Sequence, residues 1–375
     1  MSPLGVARRF VPIAFAAVLP LHAVPAPGAA PCVSRSSVAV PPAYRQAVAR
    51  AQALVCNELM SRIPGVQVAI GVNGTLVWSQ GFGYADRARK IPVTSESQFR
   101  VGSVSKALTA AAVALLYERG VLDLDAPIRR YVPSFPDKGY PITTRQLAGH
   151  LAGIRHLRGN EALSTRRFAT VQDELTIFER DSLLFPPGTR FSYSSYGWTL
   201  VSAVIEGATG EEFLGYMSRH VFQPLGMTHT APDRTDSVIP NRTGFYDADS
   251  GRGFVVAPSV DNSARWAAGG FLTSAEDLVR FGSALLEPGF LRAATLDLLF
   301  TPQHTSAGEP TPCGIAWFIT TDSLGHRWVF HGGSAVGGTA VFGLDRDSKL
   351  VIAILSNLTD APLDPARAIK GLFDR

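Results

Sequence analysis

Val66, Val68, Ile70 and Val72 alternate with Gln67, Ala69 and Gly71. A period of two marks a strand with one face in a core. Asn73-Gly74 follows, and residues 76–84 run back in the same style. Both turn residues tolerate positive φ, so the pattern predicts a β-hairpin. Before it, residues 44–62 read as an amphipathic helix. After residue 100 the period changes. An apolar run over 107–117 closes at Glu118-Arg119-Gly120, and glycine there is a helix stop. A second helical run covers 200–208. The middle of the chain, 103–300, reads as helical with proline- and glycine-rich connections. The tail returns to short β-rich runs at 314–321, 328–331, 338–344 and 350–356, broken by turns such as Asp345-Arg346-Asp347. Residues 364–374 close as a helix. Strand-rich ends around a helical middle predict an α+β fold: one antiparallel sheet drawn from 42–100 and 301–375, with a helical lobe over about 101–300.

Composition narrows the class. The chain has 375 residues, 46% hydrophobic and 18% charged, enough for a substantial core. Net charge is only +4 and the arginines are scattered, which argues against nucleic acid as a partner. The first acidic residue is Glu58; ahead of it, Arg8-Arg9 precede an uncharged apolar stretch over 10–24 and small residues up to Ala30. That order predicts a signal peptide over 1–30, a linker over 31–41 and export to the periplasm or beyond. A mitochondrial destination is the alternative, disfavoured because a contiguous apolar core does not suit an amphipathic transit helix. Pro31 before Cys32 argues against lipidation. No later run is long enough to cross a bilayer, so no stable membrane insertion is expected after processing. Of three cysteines, Cys56 is expected to be a small buried hydrophobe, and a bridge to Cys313 is open to it. There is no HExxH, no Cys-x-x-Cys and no histidine spacing suited to zinc; Gly81-Phe82-Gly83 lacks the third glycine of a dinucleotide loop. No metal and no cofactor are expected.

The candidate chemistry begins at Ser103-Val104-Ser105-Lys106, which opens the first helical run. Residues three apart share one helix face. A hydroxyl beside an amine at a helix N-terminus can act as a nucleophile without histidine, because the dipole and burial both disfavour the ammonium form. For the tetrad taken alone, a capping serine with a solvated lysine one turn on is the better explanation. Two further motifs decide between them: Phe191-Ser192-Tyr193-Ser194-Ser195-Tyr196-Gly197-Trp198 and Phe330-His331-Gly332-Gly333-Ser334.

The order S-x-x-K, Y-x-[NS], [KH]-x-G resembles the serine β-lactamase and penicillin-binding-protein superfamily. The segments at 143–154 and 267–272 resemble its class C-like branch, and those at 64–66, 81–86 and 260–263 its mitochondrial subgroup. The resemblance spans about residues 42–374. It implies a five-stranded antiparallel sheet flanked by terminal helices and packed on an all-helical lobe, with the active site between them. It also implies roles. Ser103 is the nucleophile, Lys106 its partner and Tyr193 the shared acid/base. The backbone N–H groups of Ser103 and Ser334 are the oxyanion donors. Ser195, His331, Gly332 and Gly333 bind substrate, the glycines leaving room for it along an edge strand. A phenol ionises near pH ~10, so Tyr193 is expected to need Lys106 close by.

Two departures bear on substrate. Many relatives carry asparagine at the position of Ser195 and lysine at that of His331. Serine donates one hydrogen, and histidine is largely neutral at pH 7. A carboxylate clamp is thereby weakened, and a peptidase or esterase is expected ahead of a β-lactamase. The substrate is a small molecule or peptide. The rival from another class is a binding or assembly protein that keeps the fold without turnover. His150 is expected to be structural.

Overall fold

The computed structural model describes Cys32 and residues 36–251, 253–321, 325 and 327–374. The expected signal peptide lies outside the described residues.

Seven antiparallel strands form the main sheet. They are β1 (Gly65–Val72), β2 (Thr75–Asp86), β3 (Ile91–Pro92), β4 (Phe318–Thr321), β5 (Arg327–Ala335), β6 (Gly338–Asp345) and β7 (Leu350–Ser356), in the spatial order β3-β2-β1-β7-β6-β5-β4. Five strands were expected. The two additional ones are short pieces at the edges: the pattern does not single out β3, of two residues, whereas β4, of four, lies within the β-rich run at 314–321. The run at 314–321 is a strand only over its second half. Asn73 and Gly74 both have positive φ, at 50° and 72°, as a tight hairpin turn of the primed type requires.

β1 is buried on both faces, and its alternation separates two environments. Val66, Val68, Ile70 and Val72 face the terminal helices α1 (Arg45–Leu54) and α6 (Ala366–Gly371), in a cluster with Ala51, Ile369 and Phe373. The opposite face meets α5 (Ala275–Leu286). There Gln67 Oε1 accepts the Ala275 N–H at 2.7 Å. A side chain at Gly71 would come within 2.6 Å of Val279.

Helix α2 (Val104–Glu118) runs through the middle of the helical region and is buried along nearly its whole length. A helix apolar on every side belongs in a core. Gly120 closes it at φ 68°. A short helix, α3 (Thr144–Ala148), starts with a full capping box from Thr143 and Gln146. Helix α4 (Ser195–Thr209) starts earlier than its apolar run and ends on left-handed Gly210, so Ser195 is its first residue. A disulfide joins Cys32 to Cys56, while Cys313 is a free, buried thiol. The pairing of Cys56 with Cys313 is therefore corrected, as is the reading of Cys56 as unbridged. No helix among the described residues is long and apolar enough to cross a membrane.

Candidate active site

Gly102 places Ser103. Its φ is +47°, and a Cβ there would lie 2.4 Å from Ser334 O. The corner before α2 is thus pressed against β5. The same contact holds from the other side: a Cβ on Gly333 would sit 1.9 Å from Val101 O. The expectation that both strand glycines leave room for substrate is corrected here. Gly333 makes room for the nucleophile corner, whereas a Cβ on Gly332 would meet nothing closer than 4.0 Å.

Ser103 caps α2, and Lys106 lies one turn on. Lys106 is fully buried. Its Nζ is 2.9 Å from Ser103 Oγ, 3.3 Å from Ser195 Oγ and 2.6 Å from Ala268 O. Burial, and next the charge of Arg265, hold its pKa well below the usual lysine value. Desolvation penalises the charged form. The amine therefore gives up its proton far more readily than a surface lysine.

Tyr193 leads into α4. Its ring packs against His150 at 4.3 Å, with His156 at 5.4 Å and Phe318 at 6.3 Å. Burial pushes its phenol above the usual range, and a hydrogen bond with Ser103 opposes that rise. Lys106 Nζ lies 5.0 Å from its ring centroid. The lysine is close, as expected, yet the phenol is driven towards its protonated form. The start of α4 is held from below. The Ser194 N–H donates to His150 Nδ1 at 3.1 Å, the Ser195 N–H to His156 Nδ1 at 3.0 Å, and the Gly197 N–H to Ser194 Oγ at 2.9 Å. These satisfy donors that a helix start otherwise leaves open. His150 adopts φ +61°, an uncommon conformation for a residue with a side chain. Burial keeps its ring neutral, which suits it to accept from Ser194.

On the opposite wall, β4 pairs with β5 only from Arg327 to Phe330, so His331 to Ala335 form an open edge. Ala335 pairs with Gly338 across a two-residue turn, and Ser334 faces Thr339. Alternation of hydrogen-bonded and open pairs turns the Ser334 N–H away from β6. The Ser334 hydroxyl donates to Asp360 Oδ1 at 2.7 Å. His331 is the first residue of that open edge. It is buried, packs on Phe318 at 5.4 Å, and sets Nδ1 2.6 Å from Gly332 O. Burial, then the Lys106 charge, lower its pKa to about 3, so it carries no charge at neutral pH.

Between these walls lies a cleft of about 750 Å³. Ser103, Tyr193, Ser195, His331, Gly332, Gly333 and Ser334 all line it; Lys106 lies beneath. The sequence reading missed His156, Phe318, Phe330 and Thr339 in the lining, and Asp360 at the rim. An aromatic flanking a strand carries no signal of its own, and neither does a loop aspartate.

The profile of the Beta-lactamase family matches residues 45–373. The chain belongs to the Beta-lactamase family. Among curated relatives, the human mitochondrial serine beta-lactamase-like protein LACTB is 31% identical across 74% of this chain and 68% of its own. The putative penicillin-binding protein PbpX of Bacillus subtilis is 28% identical over 76% and 68%. Among solved structures, the octameric penicillin-binding protein homologue of Pyrococcus abyssi superposes with a TM-score of 0.74 at 26% identity, covering 87% of this chain and 76% of that one. A D-amino acid amidase from Ochrobactrum anthropi SV3, complexed with D-phenylalanine, also scores 0.74, at 22% identity over 88% and 97%; that likeness speaks for the fold. The family and the fold class read from the motifs are borne out; the strand count is corrected, and so is the all-helical lobe, which also carries a small three-stranded sheet and the hairpin of Tyr246–Asp249 with Gly253–Val256.

Proposed function

We propose that this Beta-lactamase family member is a serine hydrolase that cleaves amide or ester bonds through an acyl-enzyme on Ser103. The observation that carries the reading is the fully buried Lys106 amine, 2.9 Å from Ser103 Oγ. Ser103 Oγ bonds to the substrate carbonyl carbon as its proton passes to Lys106 Nζ. The carbonyl oxygen gains charge and is held by the N–H groups of Ser103 and Ser334, fixed in place before the reaction. The bond to the leaving nitrogen or oxygen breaks as that atom takes the Tyr193 proton, and Lys106 returns a proton to the phenol. Water then attacks the ester on Ser103 by the same route and releases the acid. The opposed shifts of the two groups support this division of labour: Lys106 is pushed down and Tyr193 up, a separation typical of base and acid in one site.

The lining of the cleft includes no lysine or arginine, and His331 is neutral. This supports small esters or short peptides as better substrates than penicillins and cephalosporins. Loss of one charge-assisted contact to a carboxylate costs about 1.5–3 kcal/mol. The Cys32–Cys56 disulfide supports an oxidising compartment, in keeping with export; N-terminal sequencing of the native protein, expected to start near residue 31, tests this. For the chemistry, a fluorophosphonate should add once, on the peptide holding Ser103, and p-nitrophenyl butyrate should exceed nitrocefin in kcat/KM. Labelling that survives S103A would overturn the hydrolase reading in favour of a non-catalytic scaffold. A wide nitrocefin advantage would reverse the substrate ranking.

A further inference from the structure

We infer that Asp360 is a specificity-determining residue: its carboxylate, fixed at the rim of the cleft beside Ser334, selects neutral or cationic substrates and repels those carrying a carboxylate. The inference rests on the hydrolase reading above and names the substrate class of the same cleft.

Asp360 lies in the loop after β7, and that loop is pinned from several sides. Thr339 Oγ1, itself in the cleft lining, donates to Leu358 O at 2.8 Å and accepts the Ala361 N–H at 2.8 Å. Thr359 Oγ1 accepts the Gly337 N–H at 2.6 Å and donates to Asp247. Asn357 Nδ2 donates to Tyr84 O at 3.1 Å and Gly244 O at 3.0 Å. Within this frame Asp360 takes φ +46°, a left-handed conformation that aspartate tolerates better than most residues. The result is an exposed carboxylate whose Oδ1 is 2.7 Å from Ser334 Oγ. The backbone N–H of that same serine is the proposed oxyanion donor.

Nothing in the cleft lining offsets this charge. The lining residues include no lysine, arginine, aspartate or glutamate. Lys106 is buried below with its pKa depressed, and His331 is neutral. The guanidinium behind the hairpin turn, Arg100, is buried; Nε lies 2.6 Å from Asp233 and Nη1 2.8 Å from Val336 O. A substrate anion lying along β5 therefore meets a like charge and, among the described lining residues, no lysine or arginine. At a few ångström near a protein surface such repulsion amounts to about a tenfold loss of kcat/KM.

The test compares three p-nitrophenyl esters that differ in one acyl substituent: neutral amide, carboxylate and primary amine. Turnover of the neutral ester, abolished in S103A, reports on the hydrolase reading. The ratios among the three report on Asp360. Reversible binding of phenylboronic acid and its 3-carboxy and 3-aminomethyl derivatives, followed by calorimetry, gives the same ratios if turnover fails. The wild type should disfavour the carboxylate about tenfold, and 0.5 M salt should compress that preference. D360N keeps a residue that accepts positive φ and should bring the three to within about threefold of one another. Equal handling of all three by the wild type, a preference for the carboxylate, or a ratio that salt and D360N both leave unchanged would overturn the inference.

Discussion

The two walls of the cleft are built on different principles. The helical wall holds Ser103, Lys106, Tyr193 and Ser195 in a buried and over-determined setting: Lys106 has three polar partners, and His150 and His156 brace the start of α4. The strand wall, from His331 to Ser334, offers backbone along an open edge, with Asp360 at its rim. The difference teaches where reactivity and selection reside. Reactivity comes from removing water around an amine and a phenol, which requires depth. Selection comes from groups that a substrate meets before it is enclosed, which requires an edge.

Substitutions can break this contrast. K106M strikes the deep wall and should lower kcat/KM about a thousandfold, the scale expected for loss of a general base. The same variant should be more stable than the wild type near neutral pH, by about 1–2 kcal/mol, because it removes a desolvated amine. The sign with pH follows. Between the depressed folded value and the unfolded lysine value of 10.5, the unfolded chain holds a proton that the folded protein has given up. Wild-type stability therefore rises with pH up to about that value, and the gap to K106M in melting temperature should close. Activity should rise as Lys106 loses its proton, reaching a plateau below the ordinary lysine range. A pH profile of kcat/KM with its rise near pH 10 would contradict this assignment.

Y193F comes next. It should cost about a hundredfold in kcat while the fold, read by circular dichroism and melting, stays intact. The glycine pair then separates the two walls. G333A drives a methyl into Val101 O and should cost about 2 kcal/mol, with activity falling as the Ser103 corner moves. G332A, whose methyl would meet no protein atom closer than 4.0 Å, should change stability by no more than about 0.5 kcal/mol. Equal effects at the two positions would mean that the strand does not brace the nucleophile. The smallest effect on activity should come from C32S. It leaves the cleft untouched and should lower stability by about 2–4 kcal/mol through loss of the cross-link, read as a shifted denaturation midpoint. Thiol titration of the unreduced, unfolded wild type should find one reactive thiol, Cys313.

Much of this architecture was legible because it is local. The alternation from Val66 to Val72, the Asn73-Gly74 turn and the Gly120 stop each act within a few residues. The motif order found the family and brought Ser103, Lys106, Tyr193 and Ser334 to one cleft. What escaped depends on contacts between distant segments. His331 reaches the cleft lining, but its packing on Phe318 and its neutral state could not be read from the motif. Gly333 was credited to substrate access, although its space is filled by Val101. Cys56 pairs with Cys32 rather than Cys313. Asp360 looks like any turn residue until Thr339 and Ser334 are seen to hold its loop and its carboxylate.

The pairing of β1 with β7, Val66 opposite Ser356, also has a consequence in time. The centre of the sheet joins segments separated by most of the chain. Contacts this remote make folding slow, because a long loop must close before they form. The helical lobe can collapse early around α2, but the edge that braces Ser103 waits for β5, β6 and β7. A chain emerging in order from the ribosome would therefore hold Lys106 and Tyr193 for a period without the wall that completes their cleft. Competence to react with a fluorophosphonate should be the last property to appear during refolding, after helical signal has recovered.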